Sequence, residues 1–311
     1  MSQGVAFVFP GQGSQSVGML EHYFSKEKKF NYIFDKSKEV LGVDFKDLVL
    51  NGSSEDLSPT EITQPLMLTA NNAIWECLEI EAQNVTIMAG HSLGEFSAFV
   101  AADALAFEDA LRLISSRAKF MQEAVPEGEG AIAAIIGLTY DDLNSICLSI
   151  TNEGSLVELA NINSSNQIVI SGTKEGVDLA MQSCSEAGAK RTLLLPMSVP
   201  AHCKLMEPAS EKFKEVLNSI NIQTPKCDVM QNVDAAISSS VEDISANLIS
   251  QIYKPVRWTD IMQSFNEVSI GKCIECGPGK VLSGLMKRTL KDTKIISLDD
   301  YESFLNKESL I

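Results

Sequence analysis

Apolar positions along this chain fall into two recurring patterns, short runs and longer stretches with helical spacing. The runs at residues 5–9, 85–89 and 272–276 read as strands, and each leads into a glycine-bearing turn. Residues 62–80, 107–125 and 281–290 carry apolar side chains three and four positions apart and read as helices. The segment 51–59 between them is a polar loop. Buried strands alternating with helices predict an α/β fold whose main sheet is largely parallel. The middle of the chain breaks this rhythm. After the Glu- and Gly-rich stretch 126–130 come a strand (131–136), a helix (140–150), two strands (156–159 and 167–171), a helix (174–187) and a strand (191–195). That β-α-β-β-α-β order is the ferredoxin-like split βαβ unit. The expected organisation is a large α/β subdomain made of residues 1–126 and 199–311, with a small ferredoxin-like subdomain, 127–198, inserted into it. A cleft between the two is the expected place for a substrate.

Composition removes several function classes. At 311 residues and 45% hydrophobic, the chain can bury a large core and carry an inserted unit as well. A formal net charge of -16 makes nucleic acid and anionic membrane surfaces poor partners. No run approaches the ~20 apolar residues of a membrane span, and the first residues lack the basic stretch of a signal peptide. The seven cysteines are scattered, as in a protein of the reducing cytoplasm. Cys273 and Cys276 form a C-x-x-C without a second pair, which reads as a buried strand rather than a metal or redox site.

Candidate chemistry begins at Gly90-His91-Ser92-Leu93-Gly94, which sits between the strand 85–89 and a helix-like stretch from Glu95. G-x-S-x-G arises by chance in roughly one chain in ten of this length. Its weight here comes from its place between strand and helix, where a nucleophile elbow holds a serine in a strained turn. Phe9-Pro10-Gly11-Gln12-Gly13-Ser14-Gln15 follows the first strand. It lacks the third glycine of a dinucleotide fingerprint, since Ser16 stands there, and the lysine of a P-loop, since Met19 follows Gly18. A tight turn with no ligand and a turn aiming backbone N–H groups at an oxyanion both fit it. Of the three histidines, His22 lies in a polar helix and His91 adjoins Ser92, facing away from it in a tight turn. His202, just past the inserted unit, is therefore the favoured base. Cys203 beside it reads as packing.

Arg117 shares a helix face with Leu113, Ile114, Phe120 and Met121. A guanidinium on a buried face calls for an anion, either an internal Asp or Glu or a substrate carboxylate. No Asp or Glu between Ser92 and His202 sits where a hydrolase triad acid belongs. That argues for a serine–histidine pair oriented by an uncharged group.

Together these motifs resemble the malonyl-coenzyme A:acyl carrier protein transacylase family over essentially the whole chain. The resemblance also rests on Thr63-Gln64-Pro65, Met121-Gln122, Gly130-Ala131-Ile132-Ala133-Ala134, Val199-Pro200-Ala201-His202-Cys203, Gln251, Pro255-Val256-Arg257-Trp258 and Gly277-Pro278-Gly279-Lys280-Val281-Leu282. It implies Ser92 as nucleophile and His202 as base, held by the Gln251 carbonyl. It further implies an oxyanion hole from the N–H groups of Gln12 and Leu93, Arg117 as clamp for the malonyl carboxylate, and Asn163 and His91 as supporting residues. Where the family continues Ser-Pro-Gly-Gln after Asn163, this chain has Ser164-Ser165-Asn166-Gln167, which changes the expected loop. The implied partners are malonyl-coenzyme A and an acyl carrier protein, with no metal or redox cofactor, and the implied state is a monomer. An acidic carrier would need a basic patch; Lys190, Arg191, Lys280, Lys287, Arg288 and Lys291 are the candidates. A thioesterase-like serine hydrolase and a polyketide acyltransferase are the alternatives.

Overall fold

The computed structural model describes residues 4–197 and 199–311. In chain order the strands are β1 (Gly4–Phe9), β2 (Ile87–Gly90), β3 (Gly130–Ile136), β4 (Val157–Ser164), β5 (Gln167–Thr173), β6 (Arg191–Leu194), β7 (Asp228–Met230), β8 (Ile270–Glu275) and β9 (Lys294–Ser297). They form two sheets, one ordered β7-β2-β1-β8-β9 and the other β4-β5-β3-β6. Every pairing in the first is parallel and every pairing in the second antiparallel. The expected α/β architecture with an inserted ferredoxin-like unit is what the structure has.

The parallel sheet is covered on both faces, which is why its strands are apolar throughout. Along β1, Val5, Phe7 and Phe9 enter one core with the Thr60–Leu78 helix, including Trp75. Ala6 and Val8 enter the other core with the Trp258–Glu267 and Val281–Thr289 helices. Strand β1 connects to β2 on one side and lies against β8 on the other, so the C-terminal ends of these central strands open a crevice.

The antiparallel sheet alternates in the same way with a different result. One face, including Ala133, Ile135, Leu159 and Ile170, packs beneath the Tyr140–Asn152 and Lys174–Glu186 helices. The opposite face, with Ile132, Ala134, Ala160 and Val169, carries no helix of its own unit and turns toward the parallel sheet. Strand β4 is stitched to the large sheet's side of the molecule: Ile162 N–H donates to the Val256 carbonyl at 2.9 Å and Val256 N–H to the Ala160 carbonyl at 2.9 Å.

One expectation is corrected, and two strands appear that none foresaw. Strand β4 runs on to Ser164 rather than stopping at 159, so Asn163 lies in a strand and not in a loop. The polar Asn161 and Asn163 disguise that extension because both face the cleft. The short strands β7 and β9 carry no apolar run long enough to announce them.

Candidate active site

Ser92 stands between β2 and the Gly94–Ala101 helix with φ 54°, the left-handed region that a non-glycine residue occupies only under constraint. The turn is tight enough to exclude side chains on both flanks. A Cβ on Gly90 would strike the Gly94 backbone, and one on Gly94 would strike the Phe9 carbonyl. Asn232 holds the turn from outside: its Oδ1 accepts from Ser92 N–H at 2.8 Å and its Nδ2 donates to the Gly90 carbonyl at 2.7 Å.

The Ser92 hydroxyl lies 2.7 Å from His202 Nε2. On the far side of the ring, Nδ1 faces the carbonyls of Gln251, at 2.8 Å, and Lys254, at 3.2 Å. Two carbonyls there require the proton on Nδ1, which leaves Nε2 to accept from the serine. Gln251 is the C-cap of the Val241–Ser250 helix, where backbone carbonyls lack helical partners, and Lys254 ends the turns that follow it. The orienting group is thus uncharged. His202 also has a left-handed backbone, φ 64°, and is buried. Burial, helped by the Arg117 charge and opposed by the two carbonyls, pushes its pKa down to about 3, so the ring is neutral and receptive near pH 7.

Arg117 is 2% exposed, on the buried face of the Phe107–Ala124 helix as the spacing predicts. Of the two anions considered for it, the internal Asp or Glu is not found: among the described residues no carboxylate lies within bridging distance. Two amide oxygens hold it instead, Gln64 Oε1 at 2.5 Å from Nη1 and Gln251 Oε1 at 2.9 Å from Nη2. Nη2 is also 3.4 Å from the Ser92 hydroxyl oxygen, and Nε has no partner among the described residues. Burial lowers the guanidinium pKa to about 10, with the charge of Glu95 opposing, so it remains a cation at neutral pH.

These groups border one cavity of about 190 Å³. Gln12, Ser92, Leu93, Arg117 and His202 form its polar wall. Ile132, Ala134 and Val169 of the antiparallel sheet form the apolar wall opposite. The backbone N–H groups of Gln12 and Leu93 have no acceptor among the described residues, which leaves both available to a ligand. Gln12 is fixed through its side chain, whose Oε1 accepts from Thr60 Oγ1 at 3.1 Å. Asn163 reaches the cavity from β4, its Oδ1 2.8 Å from His91 Nε2. His91 therefore turns toward the small sheet and lines the cavity, with its ring 5.4 Å from that of Trp258. Cys203 is buried with its Sγ donating to the Pro200 carbonyl at 3.2 Å, and burial pushes its pKa up to about 11, which fits packing.

Sequence reasoning did not single out Asn232, Lys254 or Glu95. Glu95 is completely buried behind the elbow, and burial pushes its pKa up to about 7 against hydrogen bonds from Gln251, Gln231 and Asn232 that favour the ionised form.

Residues 6–303 match the family model described as the acyl transferase domain. The chain is 43% identical over 299 residues to the malonyl CoA-acyl carrier protein transacylase of Bacillus subtilis, covering 96% of this chain and 94% of that protein. It is 44% identical to the protein of the same name from Haemophilus influenzae, with 96% of each chain covered. Among solved structures, the malonyl CoA-acyl carrier protein transacylase of Coxiella burnetii superposes with a TM-score of 0.94 at 42% identity, covering 98% of this chain and 97% of that one. A malonyl-transacylase in complex with its type II PKS acyl-carrier protein also gives a TM-score of 0.94 at 42% identity, covering 98% of both chains. With the serine elbow, its histidine and this likeness over nearly the whole length, the chain belongs to the acyl transferase family.

Proposed function

We propose that this protein transfers a malonyl group from malonyl-coenzyme A to the phosphopantetheine thiol of an acyl carrier protein, through a malonyl ester on Ser92. The observation that carries the choice of acyl group is the Arg117 guanidinium, buried, charged, free of any described carboxylate and 3.4 Å from the Ser92 hydroxyl oxygen. A malonyl carboxylate supplies the missing anion in bidentate form, whereas a neutral acyl chain leaves the charge uncompensated.

The steps use groups of this chain alone. His202 Nε2 takes the hydroxyl proton as Ser92 attacks the thioester carbonyl, and Nδ1–H stays on the Gln251 and Lys254 carbonyls as the imidazolium forms. The oxyanion is received by the N–H groups of Gln12 and Leu93, each worth about 10²–10³ in rate in comparable sites. The proton returns to the leaving thiolate, coenzyme A departs, and the carrier thiol reverses the sequence. No step calls for a metal or redox cofactor. Asn163 and His91 bridge the two walls of the cleft and set its width. Residues 127–198 are read as the small subdomain and 1–126 with 199–311 as the large one.

For the carrier's acidic surface we assign the patch formed by Lys190, Arg191, Lys280, Lys287, Arg288 and Lys291. All six are exposed in a protein of net charge -16, and none bridges a carboxylate among the described residues. Exposed Leu193, Leu194 and Val281 lie on the same elements and offer apolar contact. The reading places the protein in the cytoplasm as a monomer supplying fatty-acid synthesis; among the described residues no helix is long and apolar enough to cross a membrane. A second reading, supply of a polyketide carrier, is favoured by the likeness to the transacylase bound to its type II PKS acyl-carrier protein.

Intact-protein mass spectrometry after mixing with malonyl-coenzyme A tests the proposal. A single malonyl adduct, absent from Ser92→Ala, is the expected result; an adduct that survives Ser92→Ala, or none in the native protein, would refute it.

A further inference from the structure

Glu95 lies in the first turn of the helix that follows the elbow and is completely buried, with no cation bridged to it among the described residues. Among the described residues, three donors hydrogen-bond to its carboxylate. Oε1 accepts from Gln231 Nε2 at 3.3 Å, while Oε2 accepts from Gln251 Nε2 at 2.7 Å and from Asn232 N–H at 3.3 Å. An ionised carboxylate, which only accepts, satisfies all three at once; a protonated one would turn its O–H against a donor.

Two of those three donors belong to residues that hold the reacting groups. The Gln251 amide nitrogen is committed to Glu95 and to the Ser92 carbonyl, 2.9 Å away, so its oxygen is the end presented to Arg117. The main-chain carbonyl of the same residue receives His202 Nδ1–H. Asn232 grips the elbow on both sides of His91, at Ser92 N–H and the Gly90 carbonyl. One buried carboxylate therefore underlies the nucleophile, its base and the proposed carboxylate clamp without touching any of them. The Gln251 amide also separates this carboxylate from Arg117, so among the described residues the guanidinium keeps its need for a direct anionic partner.

We propose that Glu95 is a positioning residue that acts through the Gln251 amide to align His202 and Arg117 about Ser92. The Arg117 part rests on the malonyl reading given above; the Ser92–His202 part does not. The test therefore reads the serine alone, as the pseudo-first-order rate at which phenylmethylsulfonyl fluoride sulfonylates Ser92, followed by intact mass on protein whose folding is verified by circular dichroism. Glu95→Gln keeps the shape but sets an amide NH₂ against the donors. It is expected to slow sulfonylation about tenfold to a hundredfold in folded protein, the scale of a small misalignment. Because the effect runs through Gln251, the same substitution in a Gln251→Ala background should add no further slowing. If Glu95→Gln does not fold, Glu95→Asp serves in the same cycle, since its shorter side chain withdraws from Gln251. A native sulfonylation rate in the folded variant, or equal slowing with and without the Gln251 side chain, would overturn the proposal. Failure of native protein to take up malonyl would sink the malonyl reading and leave this test standing.

Discussion

The parallel and antiparallel sheets face one another across a single cavity, yet nearly all the side chains able to do chemistry lie on the parallel side. That sheet is packed on both faces, and Ser92 and His202, the pair that meets at the cavity, are among the seven described non-glycine residues held in left-handed backbone. Strain of this kind persists only where neighbours over-determine it. The antiparallel sheet has one face beneath helices and offers the other to the cavity, contributing apolar side chains together with Asn161 and Asn163. The contrast separates two tasks. In the proposed reaction the double-sided sheet aims the reacting groups, and the one-sided sheet supplies the apolar wall that shields the acyl group from water.

Substitutions on the two sides should therefore differ in size. The largest effect is expected from Arg117→Ala on the parallel side, which should lower kcat/KM for malonyl transfer by about 10²–10³ and acetyl transfer far less. Equal losses for the two acyl groups, measured by steady-state assay, would take Arg117 out of the carboxylate role. On the antiparallel side, Asn163→Ala removes one hydrogen bond to His91. The cost should be about 1 kcal/mol, or about fivefold in kcat/KM. A loss as large as that of Arg117→Ala would erase the division of labour between the sheets.

A further effect is on stability and follows from the burial of the proposed base. An ordinary histidine takes a proton below about pH 6.5, whereas His202 does so only near about 3. Between those values the unfolded chain binds a proton that the folded protein refuses, so this group's contribution to stability rises with pH and is lost on acidification through the window. Relative to native protein, His202→Asn should gain about a few degrees in Tm on going from pH 7 to pH 4.5. A Tm difference that does not change with pH would contradict a neutral, buried His202.

Local signals in the sequence pointed to much of this architecture. Gly90 to Gly94 and the face occupied by Arg117 are legible because a turn and a helix impose their spacing on neighbouring residues. The proposed base was reached by elimination among three histidines, and Gln251 through family likeness alone. What escaped notice is non-local. Asn232 meets Ser92 from 140 positions away, and Gln251 meets Glu95 from 156, so no periodicity links them. Glu95 itself reads as an ordinary acidic residue of a first helical turn until the fold surrounds it with donors. The extension of β4 was hidden for a related reason: its asparagines are polar because the cleft is, and alternating apolar residues were the only strand signal available.

The account centres on an acyl group that passes from Ser92 to a carrier thiol rather than to water. A single-turnover experiment tests this directly: enzyme loaded with radiolabelled malonyl is freed of coenzyme A and then mixed with acyl carrier protein bearing its phosphopantetheine arm, or with buffer. The account predicts rapid appearance of the label on the carrier and a stable acyl-enzyme in buffer. Release of free malonate at a rate indifferent to the carrier would contradict it.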